Sequence, residues 1–130
     1  MKMLIVDDDP TTRELLGTIL QPYGECQMAA DGVEALKAFN TPQQGPYDLI
    51  LLDILMPRMG GQEVLKKIRQ IEAARGIIGF EGVKIIIITA VDDLDNIREA
   101  YDSCCKSYLV KPITQEKLLD ELKKLKLIPA

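Results

Sequence analysis

Short apolar runs alternate with amphipathic segments along the whole chain. Five segments predict β-strands: Met3–Val6, Glu25–Ala29, Asp48–Leu52, Lys84–Ile88 and Ser107–Val110. The stretches that follow them carry apolar residues at helical spacing and predict helices over roughly Thr11–Pro22, Gly32–Asn40, Gly61–Arg75, Leu94–Ser103 and Thr114–Leu125. Five consecutive strand–helix units imply right-handed crossovers. The pattern therefore predicts an α/β domain with a three-layer, doubly wound arrangement around a parallel sheet.

Length and composition fit one globular domain. The chain has 130 residues, of which 47% are hydrophobic and 28% charged, and this balance excludes general disorder. The first, third and fourth predicted strands are continuously apolar, as expected for a sheet covered on both faces. Because the sequence ends shortly after the last predicted helix, we expect one domain over residues 1–130 and no output domain.

Charge and residue usage narrow the function classes. A net charge of −4 disfavours nucleic acid as a direct partner. No apolar stretch reaches the ~18 residues of a membrane span, and the first strand leaves no room for a signal peptide, so we expect a cytoplasmic protein without membrane insertion. Histidine is absent, which removes the commonest general base and any phosphohistidine of the chain's own. The three cysteines lack C-x-x-C spacing and are expected to be reduced.

Polar side chains stand where four of the apolar runs end. Asp53 follows the run LILL, and Asp7 and Asp8 follow the first strand. Thr89 and Lys111 close the fourth and fifth strands. The carboxyl ends of parallel strands meet at one edge of a sheet, where open α/β folds place their chemistry. We therefore expect these carboxylates, the hydroxyl and the ammonium group to converge.

This set of groups supports phosphoryl transfer. Carboxylates are hard oxygen ligands that suit Mg²⁺, with Mn²⁺ as a substitute, and a bound cation relieves their mutual repulsion. The Lys111 ammonium and the Thr89 hydroxyl suit phosphate oxygens. Asp53 is left as a nucleophile that can accept a phosphoryl group. The sequence thus predicts Mg²⁺-dependent formation of an aspartyl phosphate.

Simpler interpretations exist for some of these residues. Asp9 precedes Pro10 and is better explained as a helix N-cap than as a ligand. Thr89 alone could be an ordinary strand-end residue, and Lys111 a solvated loop lysine. Asp53 is hardest to explain in this way, because a carboxylate that closes so apolar a run needs a partner or an ion.

At these residues the sequence resembles the receiver domain of two-component response regulators. The matching motifs are LIVDDDP, LILLDILMPRMGG around Asp53, IIITA at Thr89 and SYLVKPI before the last helix, and the resemblance covers essentially the whole chain. It implies a flavodoxin-like (βα)5 fold with strand order 2-1-3-4-5. It also implies a stand-alone response regulator that is not an enzyme with a separate substrate.

The resemblance assigns a role to each position. Asp53 would accept the phosphoryl group from a sensor histidine kinase or a phosphotransfer protein. Asp8, Asp53 and the Leu55 carbonyl would bind Mg²⁺ directly, and Asp7 would act through water. Three further residues would not bind the cation. Thr89 and Lys111 would hold the phosphoryl oxygens, and Tyr108 would be the aromatic residue of the conformational switch.

The resemblance also implies two partner surfaces. Phosphodonors would dock near the first helix and the Pro112–Ile113 loop. An unknown downstream protein target would read the face around Arg98, Tyr101, Tyr108 and the last predicted helix after Thr89 moves toward the phosphate and shifts a two-state equilibrium.

Three departures from the family pattern matter. Gly60 stands where many receivers have an acidic residue, and the connection Arg75–Val83 is long. Leu55 and Val91, each two residues past a site residue, are apolar and cannot orient an attacking water, so we expect slow self-dephosphorylation.

Two other functions stay open at this point. Asp7-x-Asp9-x-Thr11 resembles the nucleophile motif of haloacid-dehalogenase-type phosphatases, with Asp7 as the Mg²⁺-dependent nucleophile. That family needs an acidic pair after its lysine, and none follows Lys111 until Glu116. The other alternative is a flavodoxin-like binding module that does not use phosphate.

Overall fold

The computed structural model describes residues 1–41, 46–56, 58–77, 82–90 and 107–129. Its strands are β1 (Lys2–Val6), β2 (Glu25–Ala29), β3 (Leu49–Asp53), β4 (Lys84–Thr89) and β5 (Tyr108–Val110). Its helices are α1 (Pro10–Leu20), α2 (Gly32–Asn40), α3 (Gly61–Ala74) and α4 (Gln115–Lys124), with a 3₁₀ turn at Gln21–Tyr23. The following predicted features lie outside the described residues: the helix Leu94–Ser103, Val91, Arg98, Tyr101, Cys104 and Cys105.

All five strands are parallel and follow the order β2-β1-β3-β4-β5, which confirms the predicted flavodoxin-like sheet. The register places Asp53 opposite Ile88 and Thr89 opposite Val110. Both β3 and β4 therefore continue one residue beyond the predicted ends, because their ladders to the next strand continue. The carboxyl ends of the strands lie at one edge, as expected.

Each face of the sheet has its own apolar core. Leu4, Val6, Ile50 and Leu52 point to one side, where they pack with α2 and α3. The alternate residues of the same two strands point to the other side and pack with α1 and α4: Met3, Ile5, Leu49 and Leu51. All eight side chains are buried, and a fully buried aliphatic side chain is worth about 1.5–3 kcal/mol. Burial on both faces explains why these strands are continuously apolar.

The first helix ends two residues earlier than predicted. Pro22 has no main-chain N–H to continue the α-helical hydrogen bonds, so the chain closes with the 3₁₀ turn. Gly24 follows with φ +154°, and a Cβ there would lie 1.9 Å from the Met1 carbonyl oxygen. Glycine is needed for this tight entry into β2. Within the described residues, no helix is long and apolar enough to cross a membrane.

Candidate functional site

Asp53 is the last residue of β3 and is only 3% exposed. Its Oδ1 accepts a hydrogen bond from the Leu55 N–H at 3.3 Å and lies 3.8 Å from the Lys111 ammonium nitrogen. Burial raises the pKa of Asp53 to about 6, the Asp7 carboxylate adds to the rise, and Lys111 opposes it. A buried carboxylate of raised pKa, which faces the Lys111 ammonium group, thus lies where the sequence predicts the phosphoryl acceptor.

Asp7 comes directly after β1 and is 1% exposed. Its main-chain N–H donates to the Ala29 carbonyl at 3.1 Å, and its Oδ1 accepts from the Asp9 N–H at 2.9 Å. Its Oδ2 is buried without a hydrogen-bond partner among the described residues. Burial raises the pKa of Asp7. A buried carboxylate oxygen in this position calls for a cation or a water as partner.

One carboxylate oxygen each from Asp7, Asp8 and Asp53 lies within 4.8 Å of the other two. Asp8 is exposed, whereas the other two are buried, so the cluster opens to solvent on one side. Three oxygen donors with one solvent-facing side suit Mg²⁺, which keeps several waters when it binds proteins. The orphaned Asp7 oxygen and the chemistry of this donor set fit the cation that the sequence predicts.

Asp9 stands apart from this cluster as the N-cap of α1. Its carboxylate accepts from the Thr11 N–H at 3.0 Å and from the Thr12 hydroxyl at 2.9 Å. These hydrogen bonds, that of Thr12 foremost, lower the pKa of Asp9. Pro10 occupies the first turn, as the predicted cap requires. The expectation that Asp9 is a cap is confirmed.

Thr89 and Lys111 lie at the ends of β4 and β5. Thr89 is 1% exposed, and its hydroxyl donates to the Ala90 carbonyl at 3.3 Å. The Lys111 N–H donates to the Thr89 carbonyl at 2.7 Å, which ties the ends of the two strands together. The Lys111 side chain is 41% exposed and reaches back to Asp53. The fold thus brings hydroxyl, ammonium and carboxylates to one edge.

Tyr108 and Leu55, the predicted switch residue and the predicted carbonyl ligand, both have exposed side chains. Tyr108 begins β5 opposite Ile87 and is 37% exposed. Leu55 is 57% exposed, although its main-chain N–H is engaged with Asp53. Both side chains are therefore accessible, that of Leu55 two residues after the acceptor and that of Tyr108 at the start of β5, and neither residue is part of the core.

Sequence reasoning did not find the contacts of two arginines, one beside the acidic cluster and one in the connection after Asp53. Arg13 of α1 donates to the Asp7 carbonyl at 2.6 Å. Arg58, in the connection between β3 and α3, forms an ion pair with Asp31 at the start of α2. The first contact is to a main-chain oxygen and the second spans 27 residues of sequence, so no local pattern signals either one.

Comparison with known proteins places these residues in a family. The family model of the response regulator receiver domain matches residues 3–123. Sporulation initiation phosphotransferase F of Bacillus subtilis is 33% identical over 124 residues, which cover 95% of this chain and 91% of that protein. The sensory/regulatory protein RpfC of Xanthomonas campestris is 28% identical over 122 residues, 94% of this chain, but the match spans only 16% of RpfC.

Solved structures show the same likeness. A chain in the crystal structure of the CheX-CheY-BeF3-Mg+2 complex from Borrelia burgdorferi matches with a TM-score of 0.82 and 26% identity, over 97% of this chain and 89% of that one. The family match covers most of the sequence, and the fold and strand order agree with it. This chain belongs to the response regulator receiver domains.

Proposed function

We propose that this receiver accepts a phosphoryl group on Asp53 from a phosphohistidine of a sensor histidine kinase or a phosphotransfer protein. One observation carries the proposal: the buried Asp53 carboxylate lies beside both the acidic cluster of Asp7 and Asp8 and the Lys111 ammonium group. Acceptor, cation ligands and positive charge are thus within reach of one bound phosphoryl group. The absence of histidine from the chain fits an external donor.

The transfer makes one bond and breaks another. A carboxylate oxygen of Asp53 attacks phosphorus, the P–N bond to the donor histidine breaks, and the imidazole takes a proton from solvent. With a pKa of about 6, Asp53 is mostly ionised at neutral pH and available as the nucleophile. Lys111 faces the phosphoryl oxygens, and charge neutralisation and positioning supply most of the catalysis in such transfers.

Asp7, Asp8, Asp53 and the Leu55 carbonyl would hold Mg²⁺, for which Mn²⁺ can substitute. When bound, the cation neutralises charge on the phosphoryl oxygens and on the clustered carboxylates. The likeness to a chain of a complex that contains BeF3 and Mg+2 supports this assignment. The receiver would assist its own phosphorylation and dephosphorylation without turning over a separate substrate.

The signal would leave the site through Thr89 and Tyr108. The Thr89 hydroxyl, which donates to Ala90 in this structure, would exchange that partner for a phosphoryl oxygen. Because Lys111 is bonded to the Thr89 carbonyl, the ends of β4 and β5 would respond together. Tyr108, partly exposed here, would turn inward and change the surface that a downstream protein target reads.

The phosphodonor would dock beside α1 and the Pro112–Ile113 loop. Leu55, two residues after the acceptor, is 57% exposed, and Leu15 is 50% exposed, so apolar contact area is available both beside the acceptor and on α1. Apolar side chains held at a polar surface are typical of protein docking sites.

The test is to identify the modified residue. The protein is incubated with acetyl phosphate and Mg²⁺, the acyl phosphate is trapped by borohydride reduction, and the reduced residue is located by mass spectrometry. We expect the label on Asp53, its loss in Asp53→Asn, and full labelling in the control Asp120→Asn, which removes an exposed carboxylate of α4. Label on Asp7 would support the phosphatase alternative. A protein that stays unmodified with every donor would support the phosphate-independent binding module.

A further inference from the structure

The connection that follows Asp53 is anchored on the start of α2. Arg58 Nη2 pairs with Asp31 Oδ2, and Asp31 is 6% exposed. Asp31 is also the N-cap of α2, because its Oδ1 accepts from the Glu34 N–H at 2.9 Å. One carboxylate thus holds both a helix end and the arginine of the neighbouring connection, with a separate oxygen for each.

A second contact lies directly beside this ion pair. A Cβ on Gly32 would lie 2.9 Å from the Met59 Cβ and 3.0 Å from the Met59 carbonyl oxygen. Glycine at this position therefore allows the main chain at Met59 to approach α2 closely. Two adjacent residues of the connection, Arg58 and Met59, are docked on the N-cap of α2 and on its first residue.

The backbone at Arg58 shows that its position is imposed by its surroundings. Its φ is +68°, in the left-handed region that non-glycine residues rarely adopt. Such a conformation persists where contacts around it determine it. The Arg58 side chain is 65% exposed, and its ion pair joins it to the buried carboxylate of Asp31.

Both ends of this connection touch the acceptor. At its start, the Leu55 N–H donates to Asp53 Oδ1. At its end, the Gly61 N–H donates to the Ile54 carbonyl at 3.0 Å, and a Cβ on Gly61 would lie 2.5 Å from the Asp53 carbonyl oxygen. A shift in the middle of the connection would therefore reorient the Asp53 carboxylate and the main chain at Leu55.

We propose that Arg58 is a positioning residue for the cation site: its ion pair with Asp31 holds the main chain after Asp53 in the geometry that binds Mg²⁺. This inference rests on the proposed function, in which Asp53 and the Leu55 carbonyl are ligands. Arg58 touches neither the cation nor the phosphoryl group, and it acts through the connection alone.

A pure charge effect and a positioning role predict opposite changes in Mg²⁺ affinity when Arg58 is replaced. An arginine near an acidic cluster repels a cation, so by charge alone Arg58→Gln should tighten Mg²⁺ binding. If Arg58 positions the ligands, the same substitution should weaken binding. Groups that orient metal ligands from outside typically change metal affinity by 10–100-fold, and for this more distant contact we expect a loss of roughly three- to tenfold.

The experiment is isothermal titration of the metal-free protein with Mg²⁺. The variants are Arg58→Gln, Asp31→Asn, which keeps an oxygen for the Glu34 N–H, and the charge-neutral double variant. Arg58→Asn is measured beside them, because asparagine tolerates the left-handed backbone and is too short to reach Asp31. Arg75→Gln is the matched control: it removes the same charge from the connection after α3, where Arg75 packs over the Phe39 ring.

We expect weaker binding in all four variants of the Arg58–Asp31 pair, no further loss in the double variant beyond the single ones, and unchanged or slightly tighter binding in Arg75→Gln. Circular dichroism confirms that each variant is folded. Binding as tight as wild type in Arg58→Gln and Arg58→Asn would overturn the positioning role while leaving the proposed function intact. Wild-type protein that fails to bind Mg²⁺ would overturn the proposed cation site itself.

Discussion

Lys111 Nζ lies 3.8 Å from Asp53 Oδ1, although β4 separates their two strands in the sheet. The Lys111 side chain therefore reaches past the end of β4, whose last residue is the buried Thr89. A phosphoryl group on Asp53 would therefore lie beside the Lys111 ammonium group, and under the proposed function it would also accept a hydrogen bond from the Thr89 hydroxyl.

Lys111→Met should slow phosphorylation of Asp53. The substitution keeps the length of the side chain but removes the charge that faces the carboxylate. Because the removal of one electrostatic contact from a reaction centre commonly costs about 10²–10³-fold in rate, and Lys111 is partly exposed, we expect a loss of at least about tenfold. The rate is measured by mass spectrometry with acetyl phosphate. Lys123→Met, on the exposed side of α4, is the control, and an equal loss there would contradict a specific role for Lys111.

Asp53→Asn should stabilise the metal-free protein at neutral pH. The pKa of Asp53 is raised from 3.8 to about 6 in the folded protein, so the folded state holds this proton more tightly than the unfolded state. Protonation of Asp53 therefore adds to the free energy of unfolding. This contribution is fully present below about pH 4 and is lost as the pH rises through about 6.

Asparagine stays neutral throughout, so the stability difference between Asp53→Asn and wild type should grow from pH 4 to pH 7. At about 1.4 kcal/mol per pKa unit it should reach about 2–3 kcal/mol. Urea denaturation at a series of pH values without divalent cations measures it. A difference that does not change with pH would contradict the raised pKa, and Asp120→Asn supplies the baseline.

Mg²⁺ should raise the free energy of unfolding through Asp8. A ligand at 100 times its dissociation constant adds about 2.7 kcal/mol when it binds only the folded state. Asp8→Asn removes one of the three clustered carboxylates and should lose most of this gain. Thermal denaturation with and without Mg²⁺ measures the effect. Asp48→Asn, just before β3 at the opposite end of the strand, should retain it, and retention of the full gain in Asp8→Asn would rule out the cluster as the site.

Leu55→Asn should change the lifetime of the aspartyl phosphate. Leu55 is exposed and apolar two residues after the acceptor, so it cannot orient a water for hydrolysis. An amide there can, and we expect hydrolysis about two- to tenfold faster, a modest fraction of a full general-base effect. The decay of the phosphorylated protein is followed after the donor is removed. Leu15→Asn, an equally exposed leucine on α1, is the control, and identical decay in both variants would refute the idea.

Thr89→Val should uncouple phosphorylation from Tyr108. Valine keeps the shape of threonine but lacks the hydroxyl that would bind the phosphoryl oxygen. Asp53 should still be modified, while the Tyr108 ring signal in NMR spectra of tyrosine-labelled protein should no longer shift on phosphorylation. Thr18→Val, whose hydroxyl donates to the Glu14 carbonyl on α1, should respond like wild type. A normal Tyr108 shift in Thr89→Val would show that the signal takes another route.

Sequence reasoning found the residues whose position follows from where a strand ends. Asp53 and Thr89 close apolar runs, and parallel strands bring such residues to one edge without further information. Arg13 and Arg58 were missed because their partners are a main-chain carbonyl and a residue in a different connection. Periodicity reports which face of an element is buried, but it carries no record of contacts between loops. Asp31 was missed for the same reason, because its role as both the cap of α2 and the partner of Arg58 depends on how the two connections meet.

The strands around the acceptor differ in how firmly the sheet holds them. β3 is fully buried and paired with a strand on each side, and Asp53 itself continues the ladder to β4 opposite Ile88. β5 has only three residues and is an edge strand in the sheet order. Fewer ladder hydrogen bonds therefore hold it, so it can move more easily than β3. If phosphorylation of Asp53 sets off a rearrangement, we therefore expect β5 to move more than β3, so that the response runs outward along the sheet.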